Sequence, residues 1–255
     1  ALYGEQIRSC IIAPADRVLV GADMKSAQLS IAAYYANNYD YYLAVADGKE
    51  IKTDEFGNEL IHPVSGKPWY LGESGHCVNA RAFTLVSEEE WKRAVETQDQ
   101  ELIHHISLLR KKSKGGSFAT IFGASGKKVA QTLGIPEAVG EAKKQAFLSN
   151  IGLDEVINIL QMMVNKNSRC DGGYIELPFG YYAWCKAPHK IFNYLDQGTE
   201  AACQKWAVNY FEEKATKLGL DYKKILDYHD EFAVESHKDC AEEVGKVMVE
   251  AYHEA

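Results

Sequence analysis

The sequence predicts an α+β fold, with helices packed on an antiparallel sheet and a second, mostly helical subdomain. Three observations predict it. A β-branched apolar run, Arg17 to Ala22 (RVLVGA), leads directly into Asp23 and reads as a buried strand. From about Ser87 to Gly152 the spacing of apolar residues is helical. Near the C-terminus, LDYHDEFAVES reads as strand, tight turn, strand, with His229, Asp230 and Glu231 at the turn.

In chain order, SAQLSIAAYYAN follows Asp23 with Leu29, Ala32 and Ala33 on one helical side. Residues 47–72 are rich in Gly, Pro, Asp and Asn and predict a turn-laden excursion with short hairpin pieces outside the core. SEEEW opens a helix with Ser87 as N-cap and Glu90 three residues on. IHHISLLRKKSKGGSFATIFG continues as a long amphipathic segment, flawed by Gly115 and Gly116. GIPEAVGEAKKQAFLSNIG adds helix with Pro136 near its first turn. GGYIELPFGYYAW alternates like a hairpin, residues 195–218 are helical, and KDCAEEVGKVMVEAYHEA closes the chain as an amphipathic helix.

The bulk composition narrows the function classes. A chain of 255 residues can bury one large core or two intimate ones, and 46% hydrophobic with 25% charged residues is ordinary globular usage. No run approaches the eighteen apolar residues of a membrane helix, so no membrane partner is expected. The opening ALYGEQIRSC lacks the layout of a signal peptide. Six scattered cysteines without a C-x-x-C pair predict free thiols rather than a zinc ribbon or disulfide framework. A net charge of −8 argues against general nucleic-acid binding, although an acidic total can hide a local basic face.

Two constellations carry chemistry. Arg110, Lys114, Phe118 and Phe122 recur at spacing four and share one helical face. Two cations a turn apart can grip adjacent phosphates, and a ring further on can stack on a base. The bland alternative is a solvated basic face beside core phenylalanines. Asp23 at a strand end and Asp230 in a hairpin turn form the second pair. Two-metal phosphoryl transfer needs carboxylates converging from separate elements, whereas a lone Asp in either place commonly caps or turns. FGASGKK lacks the spacing of a phosphate loop and reads as a turn. His104 and His105 read as packing or surface groups, and the tyrosine-rich patches YYANNYDYY and GYYAW as core and subdomain interface.

Taken together, the order of DMKSAQLS (residues 23–30), Arg110-KKS-Lys114-GGSFATI-Phe122-Gly123 and His229-Asp230-Glu231 resembles motifs A, B and C of the family A (Pol I-like) DNA polymerases. GEQIRSCIIAPADRVLVGAD resembles the lead-in to motif A, and APHKIFNYLDQGTEAA the family's Asn-x3-Gln segment. The phage-type branch is the nearest in appearance. The resemblance implies a palm in two parts, 1–85 with the 47–72 insertion and 166–255 with the motif C hairpin and closing helix. Helical fingers would occupy 86–165. A thumb and a 3′–5′ exonuclease domain would lie in another segment or another chain.

The resemblance also implies roles. Asp23 and Asp230, with the Met24 backbone carbonyl, would hold two Mg2+ ions, for which Mn2+ can substitute. Arg110 and Lys114 would hold the dNTP triphosphate, Lys114 also protonating pyrophosphate. His76 would touch the phosphates and Phe118 the sugar and base. Phe122 would sit beside the templating base, Asn193 and Gln197 at the duplex minor groove, His229 at the primer terminus, and Glu231 near the metals. Gln28 stands where the family usually has the glutamate that excludes a ribose 2′-hydroxyl, which implies weaker rejection of ribonucleotides. Phe122 lacks the usual tyrosine hydroxyl, and Lys25 and Ser30 replace the usual serine and arginine.

The implied activity is template-directed addition of dNMP to a primer 3′-hydroxyl, with primer-template DNA, dNTPs and a thumb-containing segment or chain as partners. A non-catalytic module in replisome assembly or primer-template binding is the alternative. The implied setting is a bacterial or phage-infected cytoplasm, with an organelle also compatible.

Overall fold

The computed structural model describes residues 9–167 and 172–255. Residues 4–8 of the motif A lead-in and Cys170 lie outside the described residues. The chain separates into two compact units, Ala1–Ala27 with Gly198–Ala255, and Gln28–Gln197.

The first unit is built on a three-stranded antiparallel sheet in the order β1 (Arg17–Asp23), β5 (Glu231–His237), β4 (Tyr222–Tyr228). β5 is central because its alternation is the cleanest: Phe232, Val234 and Ser236 are buried on one face. That face packs on Ala207, Val208, Phe211 and Ala215 of α9 (Ile191–Lys217) and on Val244, Val247, Met248 and Ala251 of α10 (Ala241–Glu254). Phe211 and Phe232, both fully buried, sit 5.3 Å apart between centroids. Burying each such ring contributes roughly 1.5–3 kcal/mol. Arg17 fixes the edge register: its terminal nitrogens bridge Asp221 at 2.8 and 3.0 Å, and its Nε pairs with Glu235. The expectation of a buried strand at 17–22 is corrected here. β1 is an edge strand with Leu19 42% exposed, because its alternation turns only one side toward α10.

The second unit is mostly helical: α1 (Ala27–Tyr35), α2 (Tyr39–Ala46), α3 (Gly75–Ala82), α4 (Glu88–Thr97), α5 (Gln100–Ile121), α6 (Gly126–Leu133), α7 (Glu137–Ile151) and α8 (Leu153–Lys166). A hairpin of β2 (Gly173–Glu176) and β3 (Tyr182–Cys185) follows. Leu29, Ala32 and Ala33 are buried as their spacing predicts, in a core that also holds the stacked rings of Phe83 and Phe147 at 4.4 Å. Ser87 and Glu90 complete the capping box.

Four expectations are corrected by this unit. α5 is unbroken through Gly115 and Gly116, because α6 packs there: a Cβ on Gly116 would lie 2.4 Å from Leu133 Cδ2. The helix ends at Ile121, so Phe122 is its C-cap and not a fourth residue of the row. The 47–72 excursion reaches the interior, since Tyr70 is fully buried against Ala80, Val86, Ala94 and Ile106. The tyrosine patches divide: Tyr41 is buried, while Tyr34, Tyr39, Tyr42, Tyr181 and Tyr182 are exposed, because α1, α2 and β3 each bury only part of their surface and Tyr181 lies in the turn before β3.

α6 and α7 cross at paired glycines. A Cβ on Gly140 would stand 2.3 Å from the Gly126 carbonyl oxygen and 2.7 Å from Ala130 Cβ. Backbone cannot yield as a side-chain tip does, so Gly140→Ala is expected to lower the unfolding free energy by about 1–3 kcal/mol despite alanine's better helix propensity. Urea unfolding measures this as a fall in midpoint at constant slope; an unchanged midpoint means that the helices separate freely.

Candidate active site

In the sheet unit, strand pairing brings the acidic residues together. Asp23 ends β1 directly opposite Glu231, the first residue of β5. Asp230 precedes Glu231 in the two-residue turn from β4, and the Met24 amide donates to the Asp230 carbonyl at 3.1 Å. The turn is tight enough that His229 takes φ 54°, a conformation sparsely used by residues with side chains and filled most easily by glycine in two-residue turns. The His229 ring lies against Tyr228, with centroids 4.4 Å apart.

Partial burial, then the Asp230 charge, then the Glu231 charge raise the Asp23 carboxyl above the ordinary aspartate range. Hydrogen bonding with Asp230 adds to the rise, and the Met24 backbone opposes it. Neither Asp23 nor Asp230 has a cationic partner among the described residues. A pair of facing carboxylates suits Mg2+, which takes one or two protein carboxylates and fills its remaining positions with water and substrate phosphate oxygens. Among the described residues no cluster of three or more His, Cys, Asp or Glu forms a ready-made metal cage.

Tyr252, which carries no sequence signal, supports this end of the sheet from α10. Its hydroxyl lies 2.6 Å from Gln204 Oε1, 2.9 Å from the Asp230 carbonyl oxygen and 3.4 Å from that of Ala22. The amide of Gln204 in turn donates to Asp227 Oδ1 at 3.2 Å. Burial pushes the Tyr252 phenol well above its usual pKa, so it remains a donor.

In the helical unit, α5 aligns Arg110, Lys114 and Phe118 at one residue per turn, with Lys114 exposed and Phe118 half-buried against the core. Phe122 lies just past the helix, its ring 6.1 Å from that of Phe118. His76, in the first turn of α3, joins this row: the Ser113 hydroxyl donates to its carbonyl at 2.8 Å. Burial, then Lys114 and Arg110, lower the His76 imidazole to about 4, so it is neutral at physiological pH. Arg110 Nε pairs with Glu50 Oε2 at 2.8 Å, a partner no motif suggests.

The remaining residues are spread out. Gln28 is half-buried near the start of α1, where it has an interaction partner. On α9, Asn193 is half-buried with Oδ1 lacking a hydrogen-bond partner, and Gln197 one turn on is exposed. His104 and His105 are exposed on α5. The five described cysteines are free thiols. Among the described residues no helix is long and apolar enough to cross a membrane.

No protein-family model matches the chain. It is similar to the thermostable DNA polymerase I of Thermus aquaticus, 21% identical over 259 residues, covering 97% of this chain and 26% of the relative. The corresponding enzyme of Thermus thermophilus is 21% identical over 264 residues, with 99% and 26% covered. The chain thus spans about a quarter of the length of these relatives. Its fold is that of the POL domain of Pol1 from M. smegmatis, solved in complex with DNA primer-template and dNTP, with a TM-score of 0.68 at 18% identity over 99% of this chain and 39% of that one. Sequence similarity along nearly the whole chain, the shared fold and the order of its three motifs make the chain similar to DNA polymerase I enzymes.

Proposed function

We propose that the chain carries the nucleotidyl-transfer centre of a DNA-directed DNA polymerase, adding dNMP to a primer 3′-hydroxyl and releasing pyrophosphate. The observation that carries this reading is the meeting of Asp23 and Asp230 at one end of the sheet without a cationic partner. Burial and then the Asp230 charge raise the Asp23 pKa, and a divalent cation at the pair would offset both.

Asp23, Asp230 and the Met24 carbonyl oxygen would hold Mg2+, or Mn2+ in its place. Bound there, the ions would lower the pKa of the primer hydroxyl and neutralise charge on the phosphates as the bond to the leaving group breaks. Arg110 and Lys114 would bind the triphosphate, and Lys114 would give a proton to the departing pyrophosphate oxygen. Neutral His76 would hydrogen-bond a phosphate oxygen without adding charge. Phe118 would pack on the nucleotide and Phe122 beside the templating base, while Asn193 and Gln197 would face the minor groove and His229 the primer end. Glu231, opposite Asp23, would tune the acidic site as a neighbour of the metal ligands.

Single-nucleotide primer extension tests the function. Incorporation is expected with Mg2+, its loss on chelation, and recovery with Mg2+ or Mn2+. Incorporation that persists undiminished under chelation sinks the reading. The sugar gate gives a second measurement. The neutral amide of Gln28 blocks the space beside the ribose less decisively than a carboxylate, so Gln28→Glu is expected to raise the dNTP-over-rNTP preference about tenfold. Equal selectivity in the two proteins would remove Gln28 from that role.

A further inference from the structure

We propose that Glu50 is a positioning residue for triphosphate binding: it clamps the Nε edge of Arg110, leaving the terminal guanidinium nitrogens free for a phosphate. This rests on the reading of Arg110 as a triphosphate ligand. Glu50 lies near the start of the 47–72 excursion, far from motif B in sequence, and reaches Arg110 only through the fold. Its Oε2 lies 2.8 Å from Arg110 Nε, with both side chains about three-quarters buried. The Ser107 hydroxyl, nearly one turn before Arg110 on α5, donates to Glu50 Oε1 at 2.9 Å. The Glu50 backbone is pinned as well, its carbonyl accepting from the Leu71 and Gly72 amides at 2.8 and 3.1 Å. Ser74 Oγ is 3.4 Å from the same Arg110 nitrogen.

The consequence is geometric. A guanidinium has five N–H donors in a rigid plane, and a carboxylate or phosphate uses them two at a time. Here the Nε edge is taken, and among the described residues no hydrogen-bond acceptor holds the two terminal nitrogens. Arg110 is therefore held in one orientation before a nucleotide arrives, which lowers the ordering cost of binding. The excursion becomes part of the nucleotide site through Glu50.

The test is dNTP kinetics of the intact protein in primer extension, with Glu50→Ala, Glu50→Gln, Ser107→Ala and Arg110→Ala. Glu50→Ala is expected to raise the KM for dNTP on the order of tenfold, with kcat within about threefold of the parent. Glu50→Gln is expected to stay within about twofold of the parent KM, because its amide oxygen accepts from Arg110 Nε and its amide nitrogen donates to Ser107. Ser107→Ala, a smaller change, is expected to raise KM by about threefold. The proposal is overturned if Glu50→Ala leaves KM within twofold while Arg110→Ala raises it. It is overturned equally if Glu50→Gln is as impaired as Glu50→Ala, or if kcat falls in step with the rise in KM. Should Glu50→Ala not fold, the proposal is overturned if Ser107→Ala leaves KM at the parent value while Arg110→Ala raises it, or if Glu50→Gln raises KM on the order of tenfold. If Arg110→Ala itself leaves KM unchanged, the assignment of Arg110 to the triphosphate fails, and this proposal with it.

Discussion

Asp230→Ala and Asp23→Ala are each expected to reduce primer extension by at least about 10^3-fold, because metal-assisted phosphoryl transfer draws several kcal/mol of transition-state stabilisation from the ions that these carboxylates would hold. The loss is expected in kcat more than in the KM for dNTP. Stability should move the other way or not at all. The carboxyls face each other without a cation, and their repulsion is part of what raises the Asp23 pKa, so removing one charge relieves strain in the metal-free fold. Asp230→Asn is the cleaner probe, since it keeps the side-chain shape and leaves the Asp230 carbonyl free to accept from Met24 and Tyr252. Parent-like melting with extension below about one part in 10^3 supports the assignment. Extension within tenfold of the parent in either variant removes that aspartate from the centre.

Lys114→Ala is expected to lower kcat by about 10^2–10^4-fold, the range for loss of a general acid, whereas Arg110→Ala is expected to act mainly on the KM for dNTP. The difference follows from their settings. Arg110 is fixed by Glu50 and carries a permanent charge, so it binds and orients. Lys114 is exposed on the same face of α5 and can give up a proton. His76 does not substitute for it. Burial and the two cations lower its imidazole to about 4, so its charge is constant from pH 6 to 8 and it contributes no limb to a pH–rate profile in that window. A kcat loss in Lys114→Ala that saturating dNTP does not restore supports the role; a pH–rate profile that loses an inflection near pH 6.5 in His76→Ala instead reassigns the proton transfer.

Local periodicity and chemistry specify the short-range part of this molecule. The β-branched run into Asp23, the HDE turn and the four-residue spacing of Arg110, Lys114 and Phe118 are short-range patterns, and each is found as strand end, two-residue turn and helix face. The capping box at Ser87 and Glu90 was legible for the same reason, since its partners are three residues apart. Features that depend on residues distant in sequence arise only from packing. Leu19 is exposed because β1 takes the sheet edge, which follows from β5 lying between β1 and β4. Gly115 and Gly116 look like helix breakers in isolation, yet they make room for Thr132 and Leu133 of α6. Tyr70 enters the core from a segment of turn-forming composition because Gln98 binds both its amide and its carbonyl. Tyr252 beneath the Asp230 turn and Glu50 beside Arg110 are contacts across 22 and 60 residues of chain, respectively. No pattern of period 2 or 3.6 encodes such contacts, because they arise only when separate elements pack and a buried polar group must find its partner.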